Sequence, residues 1–243
     1  MFKTQAETRA FFSAFLPLVS DVRHCDIVIA SPFTAIPAAT EAARGSNVAI
    51  GGQDAFWEKE GAFTGEIAPP MLVEAGCRYV IIGHSERRQF FGETEQTVAK
   101  KTKAALAAGL TPIVCIGELL EHRESGRTEE ICETQFLGGP GALTPEEFSR
   151  ILVAYEPVWA IGTGKTARPE IAAAAHRFLR KCAERKFSLE QAQALRILYG
   201  GSVKPDNIQG LMVQEELDGA LVGGASLDAK AFASIVNGCE SAQ

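Results

Sequence analysis

Two side chains in this sequence are placed to move a proton, Glu156 and His84. Glu156 ends an apolar run, Ile151-Leu152-Val153-Ala154-Tyr155, and Pro157 follows at once. Five apolar residues rich in β-branching read as a buried strand. Proline has no N–H to continue the ladder, so the carboxylate stands at the strand's C-terminal lip. Val158-Trp159-Ala160-Ile161 then forms an apolar flap, followed by Gly162-Thr163-Gly164 and Lys165-Thr166. A flap that closes excludes water and raises the basicity of a carboxylate beneath it. The chemistry that suits this stretch is proton abstraction. His84 lies in Gly83-His84-Ser85-Glu86-Arg87-Arg88, after another apolar run. A helix start holds an imidazole neutral, and a neutral imidazole can donate to a carbonyl or shuttle a proton. Gly200-Gly201-Ser202 and Gly223-Gly224 follow the last two apolar runs, where exposed backbone N–H groups suit an anion. The plainer alternatives are a structural Glu, a structural His and two tight turns. Lys165, Arg87 and Arg88 read as solvated or interface charges.

Two motifs compete for the same stretch. Gly164-Lys165-Thr166 resembles the end of a phosphate-binding P-loop, but the glycine required five places earlier is Trp159. The run 162–167 also fits a dinucleotide fingerprint, G-x-G-x-x-A. That motif needs an acidic residue at a strand end about 20 positions on, and Glu184 falls inside a helical pattern instead.

The elements that must position these groups alternate. Thr4 with Glu7 forms a capping box, and Phe11, Phe12, Phe15, Leu16 and Val19 mark one face of a leading helix. Strands are expected at 26–30, 47–52, 77–82, 112–116, 151–155, 197–199 and 220–222. Helices are expected at 35–43, 71–75, 94–108, 169–185, 206–212 and 231–236, with two helical pieces around the loop 138–141. Strict β/α alternation predicts a parallel sheet, either doubly wound and open or closed as a barrel. Seven strands with an unpaired leading helix suggest an eight-strand barrel lacking its first strand. In such barrels the last two loops are a frequent phosphate site.

Composition sets the limits. At 243 residues the chain has the size of one β/α barrel, read as a single domain over 1–243. The net charge of −6 argues against nucleic-acid or anionic-membrane partners, though not against a small anion in a pocket. Six scattered cysteines with no C-x-x-C suit free thiols in a reducing cytosol. No signal peptide or membrane-length apolar run stands out.

The stretches GGQDAFWEKEGAFTGEI, YVIIGHSERR, PIVCIGE, AYEPVWAIGTGK, LYGGSV and GALVGGASL together resemble the triosephosphate isomerase family over essentially the full length. That family is itself the source of the general rules on barrel architecture, pKa tuning and lid closure, so those are implied by the resemblance. It implies a TIM (β/α)8 barrel. Glu156 would be the base, His84 the neutral electrophile, and residues 157–166 the lid. Gly162, Ser202, Gly223 and Gly224 would be the phosphate donors. The implied reaction interconverts dihydroxyacetone phosphate and glyceraldehyde 3-phosphate through an enediolate, in the cytoplasm, without cofactor or metal. A homodimer is implied through the loop Gly61-Ala62-Phe63-Thr64-Gly65-Glu66, with Thr64 reaching the partner.

One departure stands out. The family opens on a strand and an N-W-K-M motif whose Asn and Lys touch substrate, and Met1 aligns with the Met of that motif. Lys3 lies beyond the lysine position. The expectation is a chain lacking its first strand, with roughly ten further residues in the native protein and weak activity as written. The alternatives are a catalytically silent sugar-phosphate-binding barrel and a different phosphate- or dinucleotide-handling enzyme.

Overall fold

The computed structural model describes residues 1–161 and 167–240. Seven strands form one parallel sheet in sequence order: β1 (Ile27–Ser31), β2 (Val48–Gly52), β3 (Tyr79–Ile82), β4 (Thr111–Ile116), β5 (Leu152–Tyr155), β6 (Ile197–Tyr199) and β7 (Gly219–Ala220). Each pairs only with its sequence neighbour, as in Ile27 with Val48 and Val153 with Ile197, which leaves β1 and β7 as the edges. The helices between them are α1 (Gln5–Val19), α2 (Ile36–Ala42), α3 (Pro69–Glu74), α4 (Ser85–Phe91), α5 (Glu95–Ala107), α6 (Leu120–Glu124), α7 (Thr128–Gly138), α8 (Pro145–Phe148), α9 (Pro169–Lys186), α10 (Leu189–Ala194), α11 (Ile208–Met212) and α12 (Ala229–Gly238).

The expected helix starts rest on visible caps. The Thr4 hydroxyl accepts from Glu7 N–H while the Glu7 carboxylate accepts from Thr4 N–H. Thr94 and Thr97 make the same reciprocal pair at α5, and the Asp228 carboxylate accepts from Ala231 N–H at the start of α12. The last strand, β7, is expected over 220–222 and found at Gly219–Ala220. Leu221 N–H still donates to the Tyr199 carbonyl at 2.9 Å, and Val222-Gly223 then lead to a 3-10 turn at Gly224–Leu227.

Most of the core lies outside the sheet. Side chains alternate across a strand, so Val80, Ile82, Val114, Ile116, Val153, Tyr155 and Tyr199 face the helices. The opposite set, Ile113, Cys115 and Ala154 with Tyr79, Ile81 and Leu198, forms a small separate cluster. The first and last helices meet through aromatic rings. Phe15 is fully buried and stacks on Phe11 and on Phe232, each at 5.2 Å. The helical ring thus brings α1 against α12, and among the described residues no strand precedes α1. Among the described residues no helix is long and apolar enough to cross a membrane.

Candidate active site

In a parallel sheet all strands end on one side, so residues just past the C-termini of β3, β4, β5, β6 and β7 share one mouth. Glu156 is the residue after β5, and it is buried. Its N–H donates to the Ile116 carbonyl at 2.8 Å, extending the β4–β5 ladder by one step before Pro157 stops it. Two glycines make room. A Cβ on Gly117 would stand 1.7 Å from the Glu156 carbonyl oxygen, and one on Gly200 would stand 2.9 Å from Glu156 Cγ. The Gln135 side-chain amide brackets Gly117, accepting from its N–H at 2.9 Å and donating to its carbonyl at 3.0 Å. The chain therefore fixes Glu156 by close backbone approach on both flanks.

The carboxylate itself is held from β3's side. Ser85 N–H donates to Oε2 at 2.9 Å and the Ser85 hydroxyl to Oε1 at 3.4 Å. His84 Nε2 stands 2.9 Å from Oε1. His84 is the N-cap of α4, and its Nδ1 accepts from Glu86 N–H at 3.3 Å. A backbone N–H can only donate, so Nδ1 is bare and Nε2 carries the proton that points at Glu156. Burial opposes charge on this imidazole, yet the Glu156 carboxylate beside it outweighs burial and raises the His84 pKa. The helix start pulls the other way, toward the neutral ring expected from the sequence. Neutrality therefore depends on Glu156 moving off Nε2.

The flap begins on a buried carboxylate that sequence reasoning missed. Glu118, wholly buried, accepts from the Tyr155 hydroxyl at 3.1 and 3.0 Å and from Trp159 Nε1–H at 2.9 Å. Its carbonyl accepts from Val158 N–H at 3.1 Å. Burial and the neighbouring Glu118 push the Tyr155 hydroxyl well up, so it stays a donor. Arg123 completes the cluster, 3.5 Å from Glu118 and over the Trp159 ring at 4.8 Å. Val158–Ala160 makes a 3-10 turn. Gly162 and Lys165 lie outside the described residues.

The glycine turns behave differently. Gly200 and Gly201 are packed; a Cβ on Gly201 would meet the Tyr199 hydroxyl at 2.2 Å and Pro157 at 2.9 Å. Asn207 ties the next turn, donating to the Ser202 carbonyl at 3.0 Å and accepting from Lys204 N–H at 2.8 Å. At Gly223 and Gly224 a Cβ would meet nothing within 4 Å, and neither has a positive φ. Space over that turn is open to a ligand. Ser226 N–H and its hydroxyl both donate to the Gly223 carbonyl, shaping the turn.

Arg87 and Arg88, expected as solvated or interface charges, both make ion pairs within the chain. Arg88 donates to the Gly83 and Cys115 carbonyls at 2.9 and 3.2 Å and pairs with Glu95 at 3.0 Å, lacing β3 to β4. Arg87 pairs with Asp54 at 2.8 Å and with Glu93, beside a buried Lys101 that pairs with the same two carboxylates. Gly83, at a φ of +72°, gives its carbonyl to Arg88. Among the described residues no group of three or more His, Cys, Asp and Glu could hold a metal ion.

A family model, triosephosphate isomerase, matches residues 1–239. The chain belongs to the triosephosphate isomerase family. The triosephosphate isomerase of Solibacter usitatus is 60% identical over 98% of this chain and 95% of its own. That of Geobacter metallireducens is 54% identical over 98% and 94%. The crystal structure of triosephosphate isomerase from Bartonella henselae superposes with a TM-score of 0.88 at 35% identity, over 98% of this chain and 95% of that one. The fold is thus the TIM barrel type, and the protein is an isomerase of this family. Coverage at that level does not establish the expected loss of a first strand.

Proposed function

We propose that Glu156 and His84 carry out the family's interconversion of dihydroxyacetone phosphate and D-glyceraldehyde 3-phosphate, in glycolysis and gluconeogenesis. Glu156 takes a proton from the carbon next to the substrate carbonyl, while His84 Nε2–H donates to the carbonyl oxygen. An enediolate forms, His84 gives its Nε2 proton to the former carbonyl oxygen and takes one from the neighbouring hydroxyl, and Glu156 returns its proton to the adjacent carbon. The observation that carries this reading is the 2.9 Å contact between Glu156 Oε1 and His84 Nε2, with Nδ1 turned to Glu86 N–H. Base and electrophile stand side by side with the correct nitrogen protonated. Substrate entry must separate them, which also leaves the imidazole neutral. Gly162, Ser202, Gly223 and Gly224 would take the phosphate, and residues 157–166 would close over it.

Several finer points go with this reading. The chain is a single β/α-barrel domain over 1–243. Among the described residues β1 and β7 each lack a partner strand on one side. The protein is a homodimer through the loop 61–66. The exposed Phe63 on Phe56, centroids 4.6 Å apart, supports that surface, and sedimentation velocity at micromolar concentration tests it. Six free thiols suit a cytoplasmic location.

A second reading, a catalytically silent sugar-phosphate-binding barrel, draws on one observation. Among the described residues no Lys or Arg pairs with Glu156. The deciding measurement is isomerisation of glyceraldehyde 3-phosphate by the 243-residue chain, with circular dichroism on the same sample. Turnover abolished by Glu156→Gln supports the isomerase. A folded chain that binds 2-phosphoglycolate without turnover supports the silent barrel.

A further inference from the structure

His176 takes no part in the site described so far, yet it is wholly buried in α9. Its Nδ1 lies 3.2 Å from the Glu216 carbonyl oxygen. A carbonyl only accepts, so Nδ1 carries the proton and Nε2 is a bare lone pair. Among the described residues that Nε2 has no hydrogen-bond partner. A buried acceptor left unpaired is costly, and a leucine would fill similar volume without that cost. The imidazole must therefore do something for its neighbours.

Its neighbours lead to the flap. The Tyr155 ring meets His176 edge-on, with centroids 5.8 Å apart and planes at 84°. Tyr155 is the residue before Glu156, and its hydroxyl holds both oxygens of Glu118. Glu118 in turn holds Trp159 through its side chain and Val158 through its carbonyl. On the other side Glu216 is a fixed anchor. Its carboxylate pairs with Arg177 at 2.9 Å and with Arg180 at 3.5 Å, both within four residues of His176.

We propose that His176 is a positioning residue for the flap hinge: pinned to the Glu216 carbonyl, its ring fixes Tyr155, which orients Glu118 and, through it, Trp159. The proposal rests on the proposed function, in which the turn Val158–Ala160 lies beside the catalytic Glu156. Coupling passes through packed and hydrogen-bonded groups with no contact between His176 and substrate.

Two variants divide the role. His176→Asn keeps an N–H close to the Nδ1 position and removes the ring. His176→Phe keeps the ring and removes the bond to Glu216. Both are made with Trp57→Phe, which leaves Trp159 as the only indole, since the chain has two tryptophans. Expected is a red shift of Trp159 emission, larger for Asn than for Phe. With it comes a fall in kcat of about 10- to 100-fold that exceeds any change in KM. In a Tyr155→Phe background both effects shrink, because the link to Glu118 is already cut. If the Asn variant does not fold, the Phe variant carries the test. A lowered melting temperature with unchanged Trp159 emission and unchanged kcat would overturn the proposal. So would equal effects with and without the Tyr155 hydroxyl. Should the parent chain lack turnover, the emission comparison in the free protein decides alone. Failure of the isomerase reading is then distinct from failure of this one.

Discussion

The glycines on the two sides of the mouth differ in what demands them. Around Glu156 they are forced by the protein itself. Gly117 and Gly200 leave no space for a methyl group beside the Glu156 backbone and side chain. At Gly223 and Gly224 the protein leaves the space free. One side packs closely around a carboxylate; the other leaves its backbone open. Packing explains the first set, whereas at the second no side chain stands in the way and Gly223 holds φ −85° and ψ −111°, outside the usual α and β regions.

Substitutions can break that contrast. The largest effect is expected from Glu156→Gln, which keeps shape and the Ser85 bond but removes the base. It should lower kcat by about 10³- to 10⁴-fold with little change in melting temperature, read in a coupled isomerase assay. Gly117→Ala comes next. Its methyl meets backbone 1.7 Å away, so β4 and β5 must part. A loss of about 3 kcal/mol or more is expected in urea unfolding, with kcat falling in parallel.

A pH titration of stability should be nearly as large. Burial pushes the His176 pKa down to about 4, against an ordinary 6.5. The unfolded chain then takes up a proton that the native state refuses. Stability is therefore complete above about pH 6.5 and is lost as pH falls toward 4, by about 3 kcal/mol. His176→Phe should flatten that part of the profile; an unchanged slope would assign it to other groups. Gly224→Ala should have the smallest effect on the fold, within about 0.5 kcal/mol. It should still raise the KM for glyceraldehyde 3-phosphate, because the methyl fills space above the turn. A melting loss as large as that of Gly117→Ala would erase the distinction between the two sides.

Much of this was legible in the chain. The Thr4–Glu7 box, the β-branched runs and the Gly-rich turns each act over a few residues, so they read directly from sequence. Glu156 and His84 were legible because each ends a strand. Ser85, Gln135 and Glu118 were not. Ser85 contributes a backbone N–H, which every residue but proline has. Gln135 and Glu118 act on groups 18 and 41 residues away. Arg87 and Arg88 look like surface charges in a helical run, and only the neighbouring Asp54, Glu93 and Cys115 draw them inward.

The sequence by itself determined the order of β and α elements, their caps and the location of Glu156 and His84 just past strand ends. These depend on local dihedral preference and on hydrophobic period. Tertiary structure alone decided that His84 Nε2, not Nδ1, faces Glu156. It also decided that Tyr155 links His176 to the flap and that some glycines are demanded by neighbours. Those facts depend on which atoms from distant segments come within a few ångströms, and no local preference encodes that distance.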